Sequence, residues 1–161
     1  MNKIIAKALN EQVIFEFNSA YLYLALSLSM ADARFKGFSA WLRLQYQEEM
    51  DHAFKFIDYL ETRNETTTLG DIKAQAVEVS DPLKVAEMVY NHEQVITGKI
   101  NEIYALAIKE EDYATVNFLN WFINEQVEEE ASARDLVDEF KFAGDSRASQ
   151  LFVDSRLGNR Q

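Results

Sequence analysis

Glu49 and His52, three residues apart, carry the chemistry that the rest of the chain has to accommodate. At 3.6 residues per turn they share one helix face, which also holds Phe38, Leu42, Gln45, Phe56 and Tyr59. That stripe is otherwise largely apolar and so faces a core. A carboxylate and an imidazole stand where a helix bundle would place Leu or Ile. A buried, unpaired carboxylate is costly enough to neutralise rather than stay charged, so something has to compensate this pair. A surface hydrogen-bonded pair is the ordinary explanation of a lone Glu and His at this spacing. It loses ground if other helices interrupt their stripes at the same height.

Three others do. In the first helix Glu16 interrupts a stripe of Leu9, Tyr23 and Met30, with Ile5, Gln12, Ser19 and Leu26 beside it. In the third, Glu93 is the one charge among Ala86, Val89, Ile96, Ile100, Ile103 and Ala107. In the fourth, Gln126 and Glu129 interrupt Leu119, Phe122, Ala133, Leu136 and Phe140, and Glu125 and Glu128 lie on the adjoining flank. Carboxylates gathered in one small volume push each other's pKa up, and a pair of divalent or trivalent cations removes that penalty. Oxygen-rich ligation with one imidazole suits Fe, Mn and, less well, Zn; the absence of Cys excludes thiolate sites. An E-x-x-H on an inward helix face is half of the ligand set of carboxylate-bridged di-iron bundles. Iron with dioxygen is the chemistry of choice. Glu49 is placed to bridge two metals, Glu16 and His52 to complete one, and Glu93 to hold the other. Gln126 and Glu129 are weaker partners that leave an open face for O2. Tyr23, two turns beyond Glu16, can hydrogen-bond a ligand or donate an electron. His92, beside Glu93, reads as a supporting or exposed side chain.

The elements that must position these residues follow from punctuation and period. One Pro and five Gly in 161 residues favour helix throughout a single domain spanning 1–161. The expected helices are about 2–33, 38–64, 82–109 and 113–143, with a short amphipathic one at about 147–157. Arg34–Gly37 reads as a turn, Asp81-Pro82 as a helix start and Gly144 as a stop. Gly98, mid-helix and off the stripe, suggests close approach of a neighbour. The segment from Glu65 to Ser80 is long for a bundle connection. Extended, it covers roughly 50 Å, against about 40 Å for the preceding helix. It can therefore run the length of the bundle as one long crossover and leave the second and third helices parallel. The first helix carries a second apolar stripe, Phe17, Tyr21, Leu24 and Leu28, widened by Phe15 and Leu22. One bundle core cannot cover both faces, so the surplus predicts a subunit interface.

Net charge is −11, which repels nucleic acid and attracts cations. The first residues lack a signal-peptide pattern, and the apolar patch from Ala20 to Ala31 is too short for a membrane span. A soluble cytoplasmic protein, with neither nucleic acid nor membrane as a partner, is the expectation.

Along its whole length the sequence resembles the prokaryotic non-haem ferritins. The resemblance rests on Asn18-Ser19-Ala20-Tyr21-Leu22-Tyr23-Leu24 after Glu16, and on Glu48-Glu49-Met50 followed by His52. It rests also on His92-Glu93-Gln94, on Asn117–Phe122, and on the acidic run Glu125–Glu130. It implies an all-α, ferritin-like four-helix bundle whose 24 copies form a hollow shell storing iron as a ferric oxyhydroxide mineral. It also implies a ferroxidase centre, with Glu16, Glu49 and His52 on one iron and Glu49, Glu93 and Gln126 or Glu129 on the other. A third, inner iron site falls by position on Glu48, Glu125, Glu128 and Glu129. Haem-containing relatives carry a second E-x-x-H in the fourth helix. Here that stretch reads Glu125-Gln126-Val127-Glu128, and although Met50 aligns with their haem ligand, haem is not expected. The rival readings are a stand-alone di-iron oxidase or peroxidase, a DNA-protecting mini-ferritin and a metal-free helical adaptor.

Overall fold

The computed structural model describes residues 1–73 and 75–160, and among them the regular elements are five helices: α1 (Lys3–Asp32), α2 (Lys36–Thr62), α3 (Pro82–Lys109), α4 (Tyr113–Ala143) and α5 (Arg147–Leu157). Every residue of the inward stripes of α1, α3 and α4 is buried, and on α2 only Tyr59 is half-exposed. The core divides into two apolar slabs. One gathers Tyr23, Leu26 and Met30 of α1, Phe38 and Leu42 of α2, Val85 and Val89 of α3, and Leu136 and Phe140 of α4. The other gathers Ile5 and Leu9, Phe56 and Leu60, Ile96 and Ile100, and Leu119 and Phe122. The first slab thus holds the end of α1, the starts of α2 and α3, and the end of α4. That sharing makes α1 antiparallel to α2, α2 parallel to α3, and α3 antiparallel to α4. The polar interruptions lie between the slabs.

Parallel α2 and α3 require the long crossover, and side chains of α1 hold it in place. Asn10 donates to the Thr68 carbonyl (2.9 Å) and accepts from its N–H (2.7 Å). Asn18 accepts from the Lys73 N–H (2.8 Å), and Ser29 accepts from that of Val79 (3.2 Å). The connection therefore runs beside α1 in the same direction. Of its expected extended stretch, Ala74 lies outside the described residues.

Two local readings are corrected. Gly37 does not end a turn; it lies in the first turn of α2. The N-cap position, Phe35, offers no side-chain acceptor. Asp154 of α5 supplies one instead, accepting from the N–H groups of Gly37 (3.1 Å) and Phe38 (2.7 Å). Two of the helix's orphan donors are satisfied in this way, and a carboxylate sits at the positive end of its dipole. A Cβ on residue 37 would lie 1.8 Å from the Asp154 carbonyl oxygen, so glycine is needed for close approach. Gly98, by contrast, faces open space within the chain and admits no neighbour there. Gly144 closes α4 at φ +56°, as expected.

On the second face of α1, Tyr21 and Leu28 stay exposed and Phe17 and Leu24 are half-buried. By length and composition alone α1 is apolar enough to cross a membrane, which the shorter apolar patch did not suggest. It nevertheless buries Gln12, Glu16, Ser19 and Ser27 inside the chain, the pattern of a core helix.

Candidate metal centre

Between the two slabs, Glu16 of α1 and Glu49 and His52 of α2 each offer a ligand atom, all within 4.8 Å of one another. All three side chains are buried. Gln12, one turn before Glu16, donates to its Oε1 (2.8 Å). Among the described residues, Oε2 of Glu16 and Oε2 of Glu49 have no hydrogen-bond partner. The His52 Nδ1 lies 3.5 Å from Glu49 Oε2, near but not bonded. A buried carboxylate oxygen without a donor is a deficit that folded chains avoid. Two of them beside an imidazole nitrogen form a donor set suited to a cation. Trp121 and Phe122 stand edge-on to the His52 ring, with centroids 5.5 and 5.8 Å away, and wall that side.

Glu93 enters from α3, and its two oxygens are held from two sides. The Tyr23 hydroxyl donates to Oε1. Gln126 Nε2 donates to Oε2 (3.1 Å), and is itself near the Glu93 carbonyl (3.3 Å) and Thr97 Oγ1 (3.2 Å). Glu129 is buried and accepts from Gln45 Nε2 (3.0 Å). Glu48 lies one residue before Glu49; its Oε1 pairs with Arg160 (2.6 Å) and its Oε2 is buried and unpaired. Glu125 is half-buried and Glu128 is exposed. The close group of ligand atoms found among the described residues is Glu16, Glu49 and His52; Glu48, Glu93, Glu125, Glu128 and Glu129 lie outside it.

The electrostatics agree with the geometry. Burial, and then the charge of Glu49, hold the Glu16 carboxyl well above its usual range. Burial, and then Glu93, do the same to Glu49. Burial is the main cause of the upward shift of Glu93, and burial followed by Glu93 pushes Glu129 up to about 7. Four carboxyl groups thus favour protons as long as nothing else neutralises them. The residues present fit a cation on the chemistry of their donors: oxygens left free, one imidazole and mutual repulsion that positive charge relieves.

Periodicity does not reveal three supporting groups. Gln45 appears in the α2 stripe as a polar residue, but only the fold puts it on Glu129. His92 is half-buried, bonds Ser19 Oγ (2.8 Å) and lies edge-on to Tyr23, with burial lowering its pKa to about 4. Arg160 carries no sequence signal at all.

Known proteins match this arrangement over almost the entire chain. Residues 6–143 match the ferritin-like domain. A bacterial non-heme ferritin of Bacteroides fragilis is 39% identical over 156 residues, covering 97% of each chain. One from Escherichia coli O6:H1 is 36% identical over 149 residues, 92% of this chain and 90% of the relative. The solved open-pore ferritin of the archaeon Archaeoglobus fulgidus superimposes with a TM-score of 0.98 at 40% identity, covering 100% of this chain and 99% of the other. The two bacterial relatives are non-haem ferritins, and the chain therefore belongs to the ferritin family.

Proposed function

We propose that this protein stores iron, oxidising Fe(II) to Fe(III) with dioxygen at a di-iron ferroxidase centre inside each subunit. The mineral, a ferric oxyhydroxide, collects within a hollow cytoplasmic shell of 24 copies of the chain, each acting as one domain. The observation that carries this reading is the buried trio Glu16, Glu49 and His52, with carboxylate oxygens that no donor among the described residues satisfies.

Iron is the substrate. Glu16, Glu49 and His52 receive one ferrous ion; Glu49 and Glu93, with Gln126 or Glu129, receive the second. Each ion gives up one electron. The pair supplies two, enough to take dioxygen and two protons to hydrogen peroxide. Carboxylates favour the ferric over the ferrous state, and a preset pair replaces an improbable encounter of two ions. Tyr23 and Gln126 orient Glu93 by donating to its two oxygens, and the unpaired oxygens of Glu16 and Glu49 remain available to the ions. Product moves inward past Glu48, Glu125, Glu128 and Glu129, which form a third iron site. The exposed Tyr21 and Leu28 of α1 support burial against another copy in the shell.

The test is aerobic Fe(II) oxidation, followed optically, with Glu49→Ala and His52→Ala compared with wild type. Both substitutions abolish the fast phase on this reading, and wild-type rates in both would remove the claim. Native mass separates a shell from a stand-alone oxidase.

A further inference from the structure

One cation already touches the carboxylate cluster, and the chain supplies it. Among the described residues, Arg160 forms an ion pair with Glu48, and His52 lies beside Glu49 without bonding it. Arg160 Nη2 lies 2.6 Å from Glu48 Oε1. Its Nη1 donates to Gln45 Oε1, and Gln45 Nε2 in turn donates to Glu129 (3.0 Å). One guanidinium thus reaches two carboxylates of the cluster, one directly and one through an amide. The chain thus supplies a counter-ion of its own at this edge.

The placement is built rather than incidental. Arg160 follows α5, whose Asp154 is bonded to the first N–H groups of α2, ten residues before Glu48 and Glu49 are reached. The guanidinium is also set over the Trp41 ring, 5.1 Å from its centroid. Beside it lies a cleft of about 410 Å³, lined by Trp41, Asp135, Leu136 and Arg160 itself, which gives the side chain room to withdraw.

We propose that Arg160 is a tethered counter-cation that competes with a divalent cation for Glu48, weakening cation binding at the Glu48–Glu129 edge relative to the Glu16–Glu49–His52 centre. This rests on the metal-centre reading above. Oε2 of Glu48 stays open to an ion, but the guanidinium on Oε1 already neutralises much of the carboxylate's charge, so an incoming ion has to displace Arg160 or accept a poorer ligand. A weakly held ion at that edge can be passed on, whereas a tightly held one would block the way inward. Arg160 is here a positioning residue, acting through Glu48 and Gln45.

Zn²⁺, which undergoes no redox change, is the probe, titrated calorimetrically into the assembled, metal-free, full-length protein. Wild type shows a tight class of sites lost in Glu49→Ala and a weaker class lost in Glu48→Ala. Arg160→Gln tightens the weaker class by roughly fivefold, the scale of one partly exposed ion pair. Arg160→Lys stays near wild type, and Arg160→Gln adds nothing in the Glu48→Ala background. Arg156→Gln, the same charge change on α5 but at a residue paired with Glu139, leaves the weaker class unmoved. If Arg160→Gln leaves that class unchanged, or Arg156→Gln tightens it equally, this inference fails and the metal centre stands. If wild type has no tight class sensitive to Glu49→Ala, the metal-centre reading fails and takes this one with it.

Discussion

Removing metal ions should give the protein an unusual pH profile, because its buried carboxyls prefer protons. Glu129 allows the effect to be sized. It is only 9% exposed, and its pKa rises from 4.5 in the free side chain to about 7 in the fold. The folded state therefore binds a proton that the unfolded state releases. Stability from this group is fully present below pH 4.5, falls as pH rises through about 7, and then levels off. A shift of that size corresponds to about 3 kcal/mol at 1.36 kcal/mol per pKa unit. In a domain of this length that is about 6–12 °C of melting temperature. Glu16, Glu49 and Glu93 shift in the same direction and add to the loss. Thermal melts of chelator-treated protein between pH 5 and pH 8.5 should therefore show stability declining toward alkaline pH, most clearly above pH 6.5. Below it the half-buried His92, with its pKa lowered to about 4, gains stability as pH rises and opposes the trend. Glu129→Gln, which cannot ionise, should flatten the decline by the share given above. Saturating Zn²⁺ should abolish most of it, since an ion that binds only the fold stabilises by mass action. A metal-free profile that is flat or rises with pH, or a Glu129→Gln profile parallel to wild type, would show that these carboxyls are not buried and crowded as the fold requires.

Two further substitutions probe how the site is held. Tyr23→Phe removes the hydroxyl that donates to Glu93; it should slow Fe(II) oxidation several-fold and lower stability by about 1 kcal/mol, with Zn²⁺ affinity at the tight class changed far less than by Glu49→Ala. Gly37→Ala drives a Cβ into the Asp154 carbonyl and should destabilise by about 1–3 kcal/mol, measured by chemical denaturation. Asp154→Ala leaves the same helix start uncapped, costing about 1–2 kcal/mol.

Much of this protein could be read from one dimension. Backbone hydrogen bonding sets the helix period, so the inward stripes are countable in sequence, and each interruption can be placed along its helix. Glu16, Glu49, His52, Glu93, Gln126 and Glu129 were found in that way and all prove buried. The crossover was legible from its length alone. A local signal misled at Gly37, where the pattern reads as a turn while the cause is a carbonyl from α5. What only the tertiary structure decided has one physical origin: contacts between residues far apart in the chain follow no period. The Asp154 cap on α2 and the Arg160 pair with Glu48 join residues 116 and 112 positions apart, and Gln45 reaches Glu129 across 84. The helix repeat determined which residues face inward; packing determined which inward oxygen each donor satisfies, and so which oxygens are left for a cation.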